Sequence, residues 1–337
     1  MNIPLSLPQN RRTIVAVGSA LMDLCIFESY EFAGDSGAEI GGMVMTDHKQ
    51  IEDLVKHSST RTPPRIVPGG SACNTAVGVG RLGGAARFVG KRGEDTLGDT
   101  LAKRIAEAGV EPVLLLSPTA TGRVLSIITP DAQRSMLTYL GASAEIKPEE
   151  IVPAHFDDCA VAHVEGYLLF NPDLFKTVIK TAKSAGALVS LDLASFNVVK
   201  ASLPLLNEAV DSGEVDILIA NEEEAAAFTG QNDEKKAAEA LRKRAPIAVM
   251  KLGKRGSIIM HGDDTINTQP HGDGHPAVDT TGAGDLWASG FLYGLVNGYP
   301  LEHCGTLASM CGYEVCQVVG AHIPPEGWDR IKKNIPH

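Results

Sequence analysis

Val278-Asp279-Thr280-Thr281-Gly282-Ala283-Gly284-Asp285-Leu286-Trp287 is the stretch from which the rest of the chain is read. A carboxylate leads into a glycine-rich turn, and a second carboxylate leads out of it. Leu286, Ala288, Phe291, Leu292, Leu295 and Val296 then repeat at helical spacing. Gly282-Ala283-Gly284 therefore falls in the turn that opens a helix. The start of a helix presents backbone N–H groups without partners and the positive end of the dipole. Glycine lets an anion approach those groups closely. Asp285 stands beside that anion site, so a hydroxyl could give up its proton to Asp285 while the N–H groups hold the charge of a phosphoryl group in transfer. On this stretch alone a plainer reading stays open, in which Asp285 stabilises a helix end and the glycines make a turn.

The run D-T-T-G-A-G-D resembles the second signature of the ribokinase-like (PfkB) family of sugar and nucleoside kinases. That resemblance implies a general base at Asp285 and an anion hole from the amides of Gly282, Ala283 and Gly284. Leu286 and Trp287 stand where the family usually has Ala and Phe, an apolar exchange that touches packing rather than chemistry.

Composition sets the bounds. A chain of 337 residues holds one large domain or two ordinary ones. The apolar fraction of 44% and charged fraction of 21% suit a globular protein. A net charge of -11 disfavours nucleic acid as a partner but leaves a nucleotide bound through backbone N–H groups possible. Met1 to Arg12 lacks an apolar core of signal-peptide length, and no apolar run reaches the roughly 18 residues of a membrane span. The six cysteines are scattered without a C-x-x-C pair, so a reducing, cytoplasmic setting is expected.

Thr13 to Gly18 is a β-branched run ending in glycine and reads as a buried strand. Ligands of open α/β sheets bind beyond the carboxyl ends of strands, which places Asp23 to accept hydrogen bonds from a polyol. The ribokinase-like family has an aspartate after its first strand that grips sugar hydroxyls, and Gly18 to Asp23 is similar. From Leu24 to Val44 the helical period disappears, and Leu24–Phe27 and Gly42–Met45 read as short strands. Arg123 to Leu140 reads as a hairpin about a Pro130-Asp131 turn. Together they are expected to form a β lid over one end of the main sheet, keeping ATP from transferring to water.

Pro68-Gly69-Gly70-Ser71-Ala72-Cys73-Asn74 resembles the family's first signature, G-G-x-x-x-N, which implies substrate contacts from Gly69, Gly70 and Asn74. Gly78-Val79-Gly80-Arg81-Leu82-Gly83 matches G-x-G-x-x-G, but it lies inside a helix already begun near Asn74. A dinucleotide site needs a strand just before it; small residues pressing a helix on the sheet explain the run better. Gly90, Gly93, Asp95 and Gly98 fit the family's G-x-x-G-x-D-x-x-G block. Gly90 and Gly93 are expected to shape a turn near the substrate, and Asp95 to cap a helix over 96–108.

Beyond a polar link at Glu145 to Pro153, strands at 159–164, 187–192, 215–220, 247–251 and 257–260 alternate with helices at 172–185, 202–210 and 222–228. Such alternation means a mainly parallel sheet covered on both faces. Glu165 follows a strand end where some relatives have a sugar-contacting glutamate; by itself it also reads as an exposed loop acid. Asn221-Glu222-Glu223-Glu224 is similar to the family's N-x-x-E, which implies that Glu224 acts on Mg²⁺ and phosphate through water. Lys251-Leu252-Gly253-Lys254-Arg255-Gly256 resembles the nucleotide loop T-x-G-x-x-G, with Lys251 in place of threonine; Lys251 either meets phosphate or reaches solvent. Asp279 and Thr281 match positions that in many relatives help hold a monovalent cation such as K⁺, and Ser309, in the last apolar helix from 305 to 319, is expected to face the nucleotide. His271 and His275 stand four apart, but the glycines between them argue against a helix and a zinc site.

The resemblance spans about Val15 to Gly320. It implies a three-layer α/β/α kinase domain over 11–337, with a lid from about 24–50 and 113–142. The activity implied is ATP- and Mg²⁺-dependent phosphorylation of a primary hydroxyl on a sugar or nucleoside, by a monomer or a homodimer formed through the lid. Ile40-Gly41-Gly42-Met43-Val44 and the block Arg134 to Ala142 look most like bacterial adenosine-kinase-like members, while Glu165 leans toward sugars. No P-loop motif is present. The rival reading is a non-catalytic nucleotide or sugar sensor on the same fold.

Overall fold

Ile14, Val15, Ala16 and Val17 are all fully buried, which consecutive strand residues achieve only when both faces of their sheet are covered. In the computed structural model they form β1 (Thr13–Val17), inside a nine-stranded sheet. The order across that sheet is β14 (Asp264–Thr268), β13 (Ser257–His261), β12 (Ile247–Lys251), β11 (Ile217–Asn221), β10 (Leu188–Asp192), β9 (Cys159–Glu165), β1, β5 (Ala86–Gly93) and β6 (Val110–Ser117). Pairing is parallel from β12 through to β6, and β13 and β14 add an antiparallel edge.

Side chains alternate between the two faces. Val15 and Val17 join one core, packed under the helices Pro172–Ser184, Leu203–Asp211, Glu222–Thr229 and Glu234–Arg242. Ile14 and Ala16 join the other, under Ser71–Leu82, Thr96–Glu107, Ala283–Val296 and Leu301–Cys316. These are the three layers that the alternation of strands and helices predicts. The structure describes residues 8, 10–39, 42–59, 64–130, 134–272 and 274–335. Ile40, Gly41, Asp131, Asp273 and most of the N-terminal segment 1–12 lie outside them, and with them part of the 40–44 resemblance, the Pro130-Asp131 turn and the centre of the 271–275 stretch.

A second sheet of five strands has the order β3 (Met43–Met45), β8 (Arg134–Tyr139), β7 (Gly122–Ile128), β2 (Leu21–Phe27) and β4 (Arg65–Gly69). Its extent differs from the expected bounds. Val113–Ser117 belongs to β6 of the large sheet, and Arg65–Gly69 is a strand of the small one. Two helices also interrupt the region read as strands and loop. Tyr30–Asp35 starts where the Ser29 side chain accepts from the N–H of Phe32, and His48–Lys56 starts where Asp47 accepts from Gln50. Asp23 lies within β2 rather than on a loop, because the chain passes from one sheet to the other within Gly18 to Ala20.

Gly90 and Gly93 are strand residues of β5, not a turn. Asp95 caps the helix Thr96–Glu107, accepting from the N–H of Gly98 at 2.7 Å, and also takes the N–H and hydroxyl of Thr121. The G-x-G-x-x-G run sits inside the helix Ser71–Leu82 and its cap. A Cβ on Gly78 would stand 2.3 Å from the Ser289 hydroxyl oxygen, so the small residue admits the helix Ala283–Val296 rather than the sheet. No described helix is long and apolar enough to cross a membrane.

Candidate active site

The parallel strands bring a row of polar residues to one edge of the large sheet. β9 ends at Glu165, β10 at Asp192, β11 at Asn221 and β12 at Lys251, with Gly18-Ser19 beyond β1. These are the carboxyl ends, where open α/β sheets bind ligands.

The Gly282 turn closes over that edge. Gly282 caps the helix Ala283–Val296 in the left-handed conformation, at φ 72°, which glycine adopts without the strain that a Cβ brings. Ala283 donates its N–H to the Thr280 carbonyl at 3.1 Å, so that amide, expected in the anion hole, is already engaged within the turn. Among the described residues the N–H groups of Gly284 and Asp285 meet no acceptor. Both belong to the open end of the helix dipole.

Asp285 is half-buried and held from the helix Ser71–Leu82. The Ser71 hydroxyl donates to Oδ1 at 2.8 Å and the Asn74 amide donates to Oδ2 at 2.9 Å. Thr75 completes the contact by donating its hydroxyl to the Asp285 backbone carbonyl at 3.1 Å. Burial raises the Asp285 carboxyl above the ordinary range, against the hydrogen bonds of Asn74 and Ser71; Asp192 raises it further and Lys251 lowers it. A carboxylate fixed in orientation and made more basic is suited to take a proton. Asn74, expected as a substrate contact, thus commits its side-chain nitrogen to the carboxylate.

Asp23 faces the same place from β2. Burial pushes its carboxyl up to about 6, Arg134 pulls it down, and Asp285 and Asp279 push it up. A Cβ on Gly69 would lie 2.4 Å from Asp23 Oδ1, so the first glycine of the pair leaves room for that side chain. Gly70 has φ 96° and turns β4 into the helix Ser71–Leu82.

Arg134, from β8, joins the small sheet to the turn before the helix Ala283–Val296. Its guanidinium reaches Asp23 at 4.0 Å and Asp279 at 3.3 Å, and it also bonds the hydroxyls of Ser126 and Thr281. Asp279 further accepts from Thr281 and from the N–H of Gly320. Burial would raise the Asp279 carboxyl, but Gly320, Thr281 and Arg134 together hold it below its ordinary value. The side chains expected to hold a monovalent cation therefore share a fixed cation of the protein's own. They do not fit K⁺ as a second charge.

Glu165 is completely buried, neither a loop acid nor open to a sugar. It accepts the N–H and hydroxyl of Ser19 at 2.8 and 2.7 Å, and the N–H of Ala72 at 3.0 Å. Burial raises its carboxyl, with those hydrogen bonds opposing. It ties the end of β1 to the helix that carries Ser71 and Asn74.

At the other end of the row, Asn221 and Glu224 cap their helix reciprocally. The Asn221 N–H and amide donate to Glu224, and Asn221 Oδ1 accepts from the Glu224 N–H, each at 2.8 Å. Burial pushes the Glu224 carboxyl up to about 7, while Lys251 lowers it. Gly253 and Gly256 shape the turn between β12 and β13, both at positive φ. A Cβ on Gly256 would strike the Thr268 carbonyl at 2.0 Å. Thr268 in turn lines a cavity of about 280 Å³ with Pro270, His271, Thr306 and Ser309. The hydroxyls of Thr268 and Ser309 are buried without a partner among the described residues, and that of Thr268 packs against Gly305 of the helix Leu301–Cys316. The helix Leu301–Cys316, which carries Thr306 and Ser309, also passes the Gly282 turn, where a Cβ on Gly312 would lie 3.4 Å from the Ala283 carbonyl oxygen. Among the described residues no group of three metal-ligating side chains occurs.

A family model described as "pfkB family carbohydrate kinase" matches residues 40–327. The chain belongs to the pfkB family of carbohydrate kinases. This kinase is 30% identical to the adenosine kinase of Sinorhizobium meliloti, with a TM-score of 0.86 over 96% of this chain and 100% of that one. It is 31% identical to a probable sugar kinase of Rhizobium etli, with a TM-score of 0.87 over 96% and 98% of the two chains. Among curated proteins it is similar to the ribokinase of Arabidopsis thaliana, at 30% identity over 81% of this chain and 73% of that protein. The fold expected from the resemblance, ribokinase-like α/β/α with a second small sheet, is thereby established.

The sequence reading of this kinase passed over Ser71, Thr75, Asp192 and the guanidinium of Arg134. Ser71, Asn74 and Thr75 lie at i, i+3 and i+4 on one helix face, a signal readable once the helix start is fixed. Asp192 ends a strand of a parallel sheet, the position that also marked Asn221 and Lys251. Nothing local distinguishes Arg134, whose partners lie far off in sequence.

Proposed function

We propose that this kinase transfers the terminal phosphoryl group of ATP to a primary hydroxyl of a sugar or nucleoside. The observation that carries the reading is Asp285. Its carboxylate is oriented by Ser71 and Asn74, made basic by burial, and joined through its own backbone to the unpartnered amides of Gly284 and Asp285.

Asp23, beside Asp285, accepts from other hydroxyls of the substrate and turns the reacting one toward Asp285. That hydroxyl oxygen forms a bond to the terminal phosphorus as the bond to the bridging oxygen of ADP breaks, and its proton passes to Asp285. The amides of Gly284 and Asp285 hold the charge on the moving phosphoryl group. The cavity between Thr268 and Ser309 takes the nucleobase end of ATP, and the turn at Gly253 and Gly256 lines the way to the phosphates. Mg²⁺ is held mostly by phosphate oxygens and water, which fits Glu224 and the absence of a carboxylate cage among the described residues. When bound, it neutralises charge on the phosphate oxygens. A cation at Asp279 and Thr281 is not part of this reading, because Arg134 already occupies them.

The adenosine kinase and the probable sugar kinase among the similar structures support both acceptor classes. ADP release measured against a panel of nucleosides and free sugars tests the reading. One class should give turnover, and Asp285→Asn should keep nucleotide affinity while turnover falls about 10²–10⁴-fold. Nucleotide binding without turnover on any acceptor would leave the sensor reading instead.

A further inference from the structure

Lys251 ends β12, where the resembling nucleotide loops carry threonine. Its side chain is only 14% exposed and its ammonium lies 2.8 Å from Asp192 Oδ2, whose side chain is 5% exposed. It therefore does not reach into solvent. A Cβ on Gly284 would stand 3.0 Å from Lys251 Nζ, which puts the ammonium against the turn whose amides open toward the transferred group. An ammonium has three N–H bonds, and among the described residues only Asp192 accepts one.

We propose that Lys251 is a fixed cation of the transfer site, its free N–H bonds aimed at the phosphoryl group beside Gly284, and that Asp192 is the residue that positions it. This rests on the kinase reading above. Burial alone would lower the Lys251 ammonium, but Asp192 and Glu224 outweigh it and keep the group charged. The neighbourhood explains why the pair is needed. Glu224 and Asp285 also act on the Lys251 ammonium, so a triphosphate entering this space meets carboxylates on several sides. A buried lysine held by one aspartate supplies positive charge without a flexible side chain having to be ordered at each turnover.

The expected signature is selective for the terminal phosphoryl group. Lys251→Met should lower kcat about 10²-fold or more, with little change in KM for the acceptor. Affinity for a non-hydrolysable ATP analogue should fall at least tenfold more than affinity for ADP. Removing Lys251 alone leaves Asp192 buried and unpaired, which costs stability; Lys251→Met combined with Asp192→Asn removes that cost and should show the same selective loss. Asp192→Asn alone should lower kcat and bring a basic limb of the pH–rate profile to lower pH, because the ammonium loses the partner that keeps it charged. Folded variants with turnover within threefold of wild type, or an equal loss of ADP and analogue affinity, would overturn the role of Lys251. Absence of turnover in the wild type would instead count against the kinase reading, and the analogue-to-ADP comparison would still decide whether Lys251 meets the terminal phosphate.

Discussion

The side-chain amide of Asn74 donates to Oδ2 of Asp285 at 2.9 Å, joining the starts of two helices across 211 residues of sequence. This bond favours the ionised carboxylate, which is the form that accepts a proton. Asn74→Leu should therefore raise the Asp285 carboxyl further. The acid limb of kcat/KM moves to higher pH and turnover at neutral pH falls about tenfold, a loss of roughly one to two kcal/mol for a hydrogen bond to a charged group. Asn74→Asp should be worse than Asn74→Leu, since it sets a second carboxylate within hydrogen-bond distance. A pH–rate profile of each variant checks both, and an unmoved acid limb in Asn74→Leu would count against the coupling.

Arg134 ties the small sheet to the Gly282 turn. Its removal leaves Asp23 and Asp279 without their cation. Arg134→Met should cost about 3–5 kcal/mol, the usual penalty for breaking a buried ion pair from one side. Arg134→Lys should recover little of it, because one ammonium does not reproduce the planar fork that serves Asp279, Thr281 and Ser126 together. Urea unfolding of the two variants gives the comparison. The same pairing predicts that replacing K⁺ by Na⁺ or choline at fixed ionic strength changes wild-type turnover less than about twofold, as the charge at Asp279 is already met. Strong activation by K⁺ would show that a further cation is accommodated there.

Glu165 acts at a distance from the reacting atoms. Glu165→Ala strands the N–H groups of Ser19 and Ala72 in the interior and should lower stability by about 2–4 kcal/mol. The helix that carries Ser71 and Asn74 begins at Ala72's neighbour, so the loss should also reach kcat. Glu165→Gln keeps an acceptor oxygen and should lie between the two. The comparison of kcat with unfolding free energy separates this bracing role from a direct substrate contact, which would raise the acceptor KM without a loss of stability.

What the sequence showed and what it hid divide along the range of the interactions. β12 runs from Ile247 to Lys251, as its apolar run and bounding residues indicate. Gly282 to Val296 was legible as a turn and helix because spacing and glycine placement are local. The strand nature of Asp23 was not, because β2 exists only through its pairing with β4 and β7, each supplied by distant sequence. Glu165 read as a sugar contact or a loop acid for the same reason: the donors that justify its burial come from Ser19 and Ala72. Lys251 read as either a phosphate contact or a side chain reaching solvent until Asp192, at the end of a strand two positions away in the sheet, was placed beside it. The motifs named the residues of the site, while tertiary pairing assigned what each one touches.

Asp23 makes stability depend on pH with a defined sign. Burial, the main cause, raises its carboxyl from the ordinary 3.8 to about 6 in the folded chain. Between those values the folded state holds a proton that the unfolded state has released, so this group's contribution declines as pH rises and is spent above about 6. A shift of about two units corresponds to about 3 kcal/mol. Asp23→Asn carries no such proton. Its stability relative to wild type should therefore improve by up to about 3 kcal/mol between pH 4 and pH 7, whatever constant offset follows from the altered contact with Arg134. Urea unfolding of both proteins across that range reads the difference directly. A difference that stays flat would mean that Asp23 is ionised throughout, with Arg134 at 4.0 Å compensating its burial in full.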